Sequence, residues 1–360
     1  MSGLYIHIPF CKRRCLYCDF FSTTLLERRE EYVGALLREI AMRKDETGEP
    51  IRTIYIGGGT PSTLSINHIQ QLLDAIGTDV AEEITVEVNP GDLTFEYLKA
   101  LRQTGVNRIS IGIQSFQDSL LSLIGRRHNA QQAIDAVRMA QEAGFHNISI
   151  DLIYALPTQT MQQWQADIEQ ALALQVQHIS CYGLMYEEGT ALTAMRDAGT
   201  ITPIDEDTEN EMYDTLCERL KQAGFVHYEV SNFALPGFES KHNSSYWDGT
   251  PYIGIGAGAH SYLSPVRSWN PNNLDAYIRG IQTSTLRREQ EVLTERDQYN
   301  ERIMLGLRTR KGIVEPLSSQ SRANLEPFSR DGLLSRRNGR IVATQKGLHI
   351  LNRIIEELMI

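Results

Sequence analysis

Three of the chain's five cysteines fall within eight residues, at Cys11, Cys15 and Cys18. Thiols this crowded, on a stretch that also holds Lys12, Arg13 and Arg14, ask for a metal or a cluster. A structural zinc site wants four closed ligands, and no fourth Cys or His follows just downstream. His7 stands nearby, but as a strand residue it would have to turn back to the loop. A four-iron cluster normally takes four thiolates. Three would leave one iron open to an outside ligand, as suits a reaction centre better than a staple. The C-x3-C-x2-C spacing therefore favours a [4Fe-4S] cluster over zinc. Cys181 and Cys217, set in a strand and a helix, read as small buried hydrophobes.

A second set of polar residues closes short β-rich runs at 4–8, 53–56, 84–88, 108–113, 147–153 and 179–183. Their tails carry Gly57-Gly58-Gly59-Thr60, Glu87 with Asn89, Gln114, Asp151 and Tyr182. Between the runs lie segments of helical period, such as Ile66, Ile69, Leu72, Leu73 and Ile76, with Gly105 and Gly144 at two helix ends. This alternation implies parallel strands joined by helical crossovers. Six units give an open doubly wound sheet or a partial (β/α)6 TIM-like barrel. In a barrel the C-terminal strand ends converge on one mouth, where sites are built. Glu87, Gln114 and Asp151, each in an otherwise apolar run, favour that α/β barrel, while Asn89-Pro90-Gly91 reads as a turn.

The chain has 360 residues and a net charge of −10, a balance that speaks against a general nucleic-acid binder. An odd number of cysteines makes no disulfide scaffold. No run of about 20 apolar residues predicts a membrane span, and the N-terminus lacks the pattern of a secretory signal. A reducing cytoplasm is the expected location. From residue 281 onward the charge reverses to net +4. There the pattern predicts a helix at 299–307, a basic turn at 308–311, a helix near 317–328, a hairpin of 333–336 with 340–343, and a final helix at 347–358. Asn338-Gly339 suits a type I′ hairpin turn. The expected organisation is a barrel core over 1–200, an associated segment over 201–285, and a winged-helix-like α+β module over 286–360. With no evident reading helix, the module suggests a lid or an interaction surface, not a DNA binder.

Around the cysteines the chain reads YIHIPFC and CDF, followed in order by GGGTPS, GIQSF and DLIYALP. On these motifs nearly the whole chain resembles the radical S-adenosylmethionine (SAM) superfamily, and within it the oxygen-independent coproporphyrinogen III oxidase-like group. The resemblance implies that the open iron binds SAM, which an electron from the cluster cleaves to a 5′-deoxyadenosyl radical. It implies cluster ligation by Cys11, Cys15 and Cys18, and places Tyr5 near SAM. Gly58, Gly59 and Thr60 match the strand end that SAM's amino group approaches, and only glycine lets a ligand come so close. Glu87 matches the acid that binds the SAM moiety, and Gln114, Arg126 and Asp151 match further SAM contacts.

Two departures choose the branch. Oxidases of this group carry a fourth cysteine two residues after the third, where this chain has Phe20. Residues 242–247 read His-Asn-Ser-Ser-Tyr-Trp, which resembles the HNxxYW motif of the group's heme chaperones. That likeness implies heme binding at His242, Tyr246 and Trp247, and delivery of heme to apo-hemoproteins of the respiratory chain. An imidazole is a standard axial ligand, and Tyr246 and Trp247 offer flat faces. Gly254-x-Gly256-x-Gly258 follows and reads either as a pocket edge or as a turn. The implied cofactors are the [4Fe-4S] cluster, SAM and heme, with no residue assigned a catalytic role. The implied setting is the cytoplasm, with docking at the inner membrane when the acceptor is membrane-bound, and a homodimer left open. The alternative is oxidative decarboxylation of coproporphyrinogen III.

Overall fold

The computed structural model describes residues 2–315 and 318–360. Six parallel strands lie side by side in chain order: β1 (Ser2–Ile8), β2 (Ile51–Gly58), β3 (Glu83–Val88), β4 (Arg108–Gln114), β5 (Ile148–Tyr154) and β6 (His178–Gly183). Each coincides with a run expected from the sequence. Crossover helices start on side-chain caps, Ser65, Thr94, Asn129 and Thr160, whose oxygens each accept a first-turn N–H. Gly105 and Gly144 end two of them at φ 97° and 89°, as expected.

Side chains alternate along each strand. Ile6, Ile54, Val86, Ile111, Ile150 and Ile179 are fully buried and share one hydrophobic core with the crossover helices. The intervening positions are polar: Tyr5, Thr53, Tyr55, Thr85, Glu87, Arg108, Ser110, Asp151, His178 and Ser180. The parallel sheet is thus aliphatic toward its helices and polar toward the lumen.

β7 (Val226–Glu229) and β8 (Asn232–Ala234) extend the sheet beyond β6, β8 pairing antiparallel with β6 and with β7. At the other edge β9 (Tyr252–Ile255) runs parallel to β1, followed by antiparallel β10 (His260–Leu263), β11 (Val266–Trp269) and β12 (Glu289–Val292). The twelve strands do not close, which leaves a partial barrel. Sequence periodicity missed β7 to β12 because each has only three or four residues.

Beyond β12, a helix Glu295–Leu307 opens on a Thr294 capping box. β13 (Ile313–Val314), β14 (Leu334–Arg337) and β15 (Arg340–Ala343) form a separate antiparallel sheet over a core that includes Ile303, Leu325, Ile341 and Ile354. Asn338 and Gly339 take φ 51° and 72°, as a type I′ turn requires. The helix expected near 317 runs Ser319–Arg330, and Leu317 lies outside the described residues. The expected final helix is two, Gln345–Leu348 and Leu351–Leu358, broken where Ile350 leaves helical geometry (φ −120°, ψ 28°). The module is sewn to the β7–β8 turn, since Val230 N–H donates to the Arg308 carbonyl at 2.8 Å and Arg310 N–H to that of Tyr228 at 3.1 Å.

Candidate functional site

β1 hands the chain directly to the cysteine loop. Cys11 is buried, and Cys15 and Cys18 are half-buried. Two ion pairs hold the loop from outside, Lys12 and Arg127 meeting Asp92 at 2.8 and 2.7 Å. The Cys11 thiol lies 3.4 Å from Thr60 Oγ1, and Arg126 Nη1 donates to Cys15 Sγ at 3.5 Å. The end of β2 and the segment after β4 therefore both touch the cysteines. Gly59 is needed for this approach, because a Cβ there would come within 2.8 Å of the Pro9 backbone and 3.0 Å of Cys11 Sγ.

His7 is not a spare ligand. Its Nδ1 lies 3.0 Å from the Tyr5 hydroxyl and its Nε2 2.8 Å from the Phe21 carbonyl oxygen. Both ring nitrogens are thus already engaged. A four-iron cluster takes its thiolates on separate irons, and Cys11, Cys15 and Cys18 on one loop are the residues that would supply them. Burial raises the Cys11 thiol's pKa and pushes that of Cys18 up to about 11. Such thiols ionise when a cationic centre binds them.

The strand tails meet beside the loop. Tyr5, Phe20, Tyr55, Gly58 and Glu87, with Asn243 and Tyr246, line a lumen cavity of about 260 Å³. Glu87 accepts hydrogen bonds from the Tyr55 hydroxyl (2.8 Å) and the Gly58 N–H (3.0 Å). Burial pushes its carboxyl up to about 7, against the pull of the Tyr55 bond, and the Asp151 charge adds to the rise. Burial also raises Asp151, which accepts from the Ser110 hydroxyl at 3.1 Å. Gln114 ends β4 at φ 70°, where the register with β5 shifts. A non-glycine residue held there costs about 1–3 kcal/mol, and such strain clusters at functional sites. Arg126 Nη2 donates to the Gly112 carbonyl and so ties the β4 end to Cys15.

The glycine run departs in part from expectation. A Cβ on Gly58 (φ 113°) would strike the His7 ring at 2.5 Å. Glycine at 58 and 59 serves the chain's own packing first, although Gly58 still faces the lumen cavity. Gly254, Gly256 and Gly258 line neither cavity described here. A Cβ on Gly254 would overlap the His260 carbonyl, and one on Gly256 would come within 2.6 Å of the Tyr32 hydroxyl. Close packing, with the turn after β9, explains them.

Sequence reasoning missed Arg108. It is 1% exposed, and its Nε and Nη1 are buried without a hydrogen-bond partner among the described residues. Its charge favours the ionised forms of Glu87 and Asp151 and opposes protonation of His178 and His242. The alternation of polar residues along β3 and β4 was the available signal.

The HNxxYW residues form a short helix, Lys241–Trp247. Glu83 holds its start, accepting from the Ser240 hydroxyl at 3.2 Å and from the N–H groups of Lys241 and His242, both at 2.9 Å. His242 is fully buried. Its Nδ1 lies 2.9 Å from Thr53 Oγ1 and its Nε2 2.8 Å from the Tyr246 hydroxyl, and its ring stacks on Tyr55 at 5.2 Å. Burial, aided by Arg108, lowers its pKa to about 3. The structure keeps His242 in contact with Tyr246 but leaves its imidazole out of both cavity walls, whereas Tyr246 and Trp247 line a second cavity.

That outer cavity, of about 1290 Å³, lies between this helix, the β9–β11 strands and the C-terminal module. Tyr246, Trp247, Tyr252 and Tyr262 face it from one side, and Tyr299, Leu305 and Val314 from the module. Arg302, Arg310 and Lys311 also line it, exposed and without an ion pair among the described residues. Tyr246 is common to both cavities.

Residues 5–171 match the Radical SAM superfamily and residues 293–350 the HemN C-terminal domain. A Lactococcus lactis protein named heme chaperone HemW is 40% identical over 373 residues, covering all of this chain and 97% of the relative. The chain belongs to the HemW family of radical SAM proteins. A Bacillus subtilis HemW is 40% identical over 87% of this chain and 85% of its own length. The Escherichia coli HemW is 38% identical over 73% of this chain and 70% of its own. The solved E. coli coproporphyrinogen III oxidase HemN superposes with a TM-score of 0.85 over 99% of this chain and 90% of that one. At 23% identity it shows the shared fold. Phe20 is 61% exposed at the edge of the lumen cavity. Among the described residues no helix is long and apolar enough to cross a membrane.

Proposed function

We propose that this HemW-family chain binds heme and hands it to apo-hemoproteins, membrane-bound respiratory enzymes among them. The observation that carries this reading is the outer cavity beside a helix bearing the HNxxYW residues, aromatic on its walls and lined by Arg302, Arg310 and Lys311, which have no ion pair among the described residues. A porphyrin is flat and apolar with carboxylates at one edge, and such walls and charges suit it.

In this reading Cys11, Cys15 and Cys18 hold the [4Fe-4S] cluster. Tyr5, Gly58, Gly59, Thr60, Glu87, Gln114, Arg126 and Asp151 surround SAM at the lumen mouth. When bound, the cluster supplies one-electron chemistry to SAM. The protein's part is to fix the loop through Asp92, shield the site behind Phe20 and set the charge of Glu87 through Tyr55 and Arg108. Tyr246 and Trp247 flank heme, and His242 acts through Tyr246. We retain the three-part organisation, a barrel core to residue 200, a segment to 285 that carries the heme helix, and the terminal module. A cytoplasmic setting, docking of the basic module on the inner membrane, and a homodimer belong to the same proposal. Phe20 in place of a fourth cysteine sets the oxidase reading aside.

Hemin titration of the anaerobically purified chain tests this. A saturable shift of the Soret band, followed by transfer of the heme to an apo-hemoprotein, is expected. No binding, or catalytic consumption of coproporphyrinogen III, would overturn it.

A further inference from the structure

The described wall of the outer cavity contains no histidine, cysteine or methionine. Heme iron takes its protein ligand from His, Cys, Met or Tyr. His242 does not supply it, since both ring nitrogens are engaged inside the barrel and Glu83 pins the helix start. A heme in this cavity thus finds tyrosine as its only ordinary iron ligand.

Three of the five tyrosines there are already engaged. Tyr228 and Tyr246 pair with His178 and His242, both at 2.8 Å, and Tyr299 donates to Ser321 Oγ at 2.8 Å. Tyr252 and Tyr262 are register partners on β9 and β10, and neither hydroxyl has a hydrogen bond among the described residues. Tyr262 lies under the Arg267 guanidinium, 5.8 Å from its ring centre. Tyr252 packs edge-on against Tyr246 at 4.7 Å, next to the helix that carries Trp247. Burial raises the Tyr252 phenol, the Arg267 charge favours its phenolate, and the Glu301 charge opposes it.

We propose that Tyr252 ligates ferric heme through its phenolate oxygen, that the heme carboxylates lie toward Arg302, Arg310 and Lys311, and that His242 only positions Tyr246. This rests on the heme-binding reading above. As the iron–oxygen bond forms, the phenol O–H breaks. Its proton leaves as water with the hydroxide displaced from iron, and no electron moves.

The test is hemin titration of the full chain, read by absorption and resonance Raman spectra. Wild type should show an iron–phenolate charge-transfer band. Tyr252→Phe should lose the band and bind about tenfold more weakly, while its iron–sulfur absorbance reports an intact fold. His242→Ala should keep the band. A wild-type spectrum from Tyr252→Phe, loss of the band in Tyr262→Phe instead, or a histidine-type spectrum abolished by His242→Ala would each overturn the assignment while leaving heme binding intact. Wild type that binds no heme would overturn the functional reading itself. Heme dimethyl ester gives an independent readout of the cations. It should bind wild type more weakly than heme, with the difference gone in the Arg302→Ala/Arg310→Ala/Lys311→Ala variant. An equal difference in that variant would remove those residues from the site.

Discussion

The lumen of the barrel and the outer cavity share Tyr246 yet follow opposite physical plans. In the lumen, Arg108 and His242 are buried and Glu87 and Asp151 half-buried, and burial pushes Glu87, Asp151 and His242 toward their neutral forms. The outer cavity is broad, Arg302, Arg310 and Lys311 on it are exposed and without an ion pair among the described residues, and Tyr246, Trp247, Tyr252 and Tyr262 give it aromatic walls. Enclosure strengthens every electrostatic contact, which suits a small charged cofactor held for chemistry. A broad cavity with aromatic walls makes wide apolar contact with a flat ligand, which suits cargo larger than the lumen cavity admits. On the function proposed above, one chain would separate the place where it holds from the place where it hands over.

If the two regions are separate, changes in one should spare the other. The largest expected effect is from Cys15→Ser, which should abolish the iron–sulfur spectrum and iron content while leaving the hemin titration unchanged. Loss of heme binding with the cluster would break the separation.

Glu87→Gln comes next. The folded carboxyl titrates at about 7 against about 4.3 in an unfolded chain. The fold thus favours the neutral form, a stabilisation that is complete below the unfolded value and lost as pH rises through the folded one. The amide stays neutral throughout, so its stability relative to wild type should be on the order of 2 kcal/mol more favourable at pH 8 than at pH 5. Urea midpoints at the two pH values measure this, and a pH-independent offset would show that burial does not govern the lumen.

Trp247→Ala should weaken hemin binding about tenfold through lost ring contact, with the iron–sulfur absorbance untouched. Undiminished affinity would move the heme off this wall. The smallest effect is expected of Thr53→Val, which removes the partner of His242 Nδ1. Denaturant unfolding should show a loss of about 1 kcal/mol with heme affinity unchanged. A parallel fall in heme affinity would make His242 part of the cargo site after all.

Much of the barrel was legible in the chain because each strand repeats one pattern. Ile84-Thr85-Val86-Glu87-Val88 alternates helix-facing aliphatics with lumen-facing polar groups, and its neighbours do the same. The cysteine loop was legible because its ligands are local in sequence. What stayed hidden was tertiary. No local pattern says that the His242 ring turns toward Thr53, 189 residues away. Nor does any show that Trp247 and Arg310 line one cavity, which exists only because the Val230–Arg308 pairing docks the module. Phe20 was informative for the opposite reason, as a single substitution inside an otherwise readable motif.

Tyr246 has a consequence of its own. A side chain that is wall to two compartments is where any coupling between their occupants would pass. By whatever factor SAM in the lumen alters affinity for heme outside, heme must alter affinity for SAM by the same factor. Calorimetry of either ligand with and without the other measures that factor, which is one if the two regions are separate.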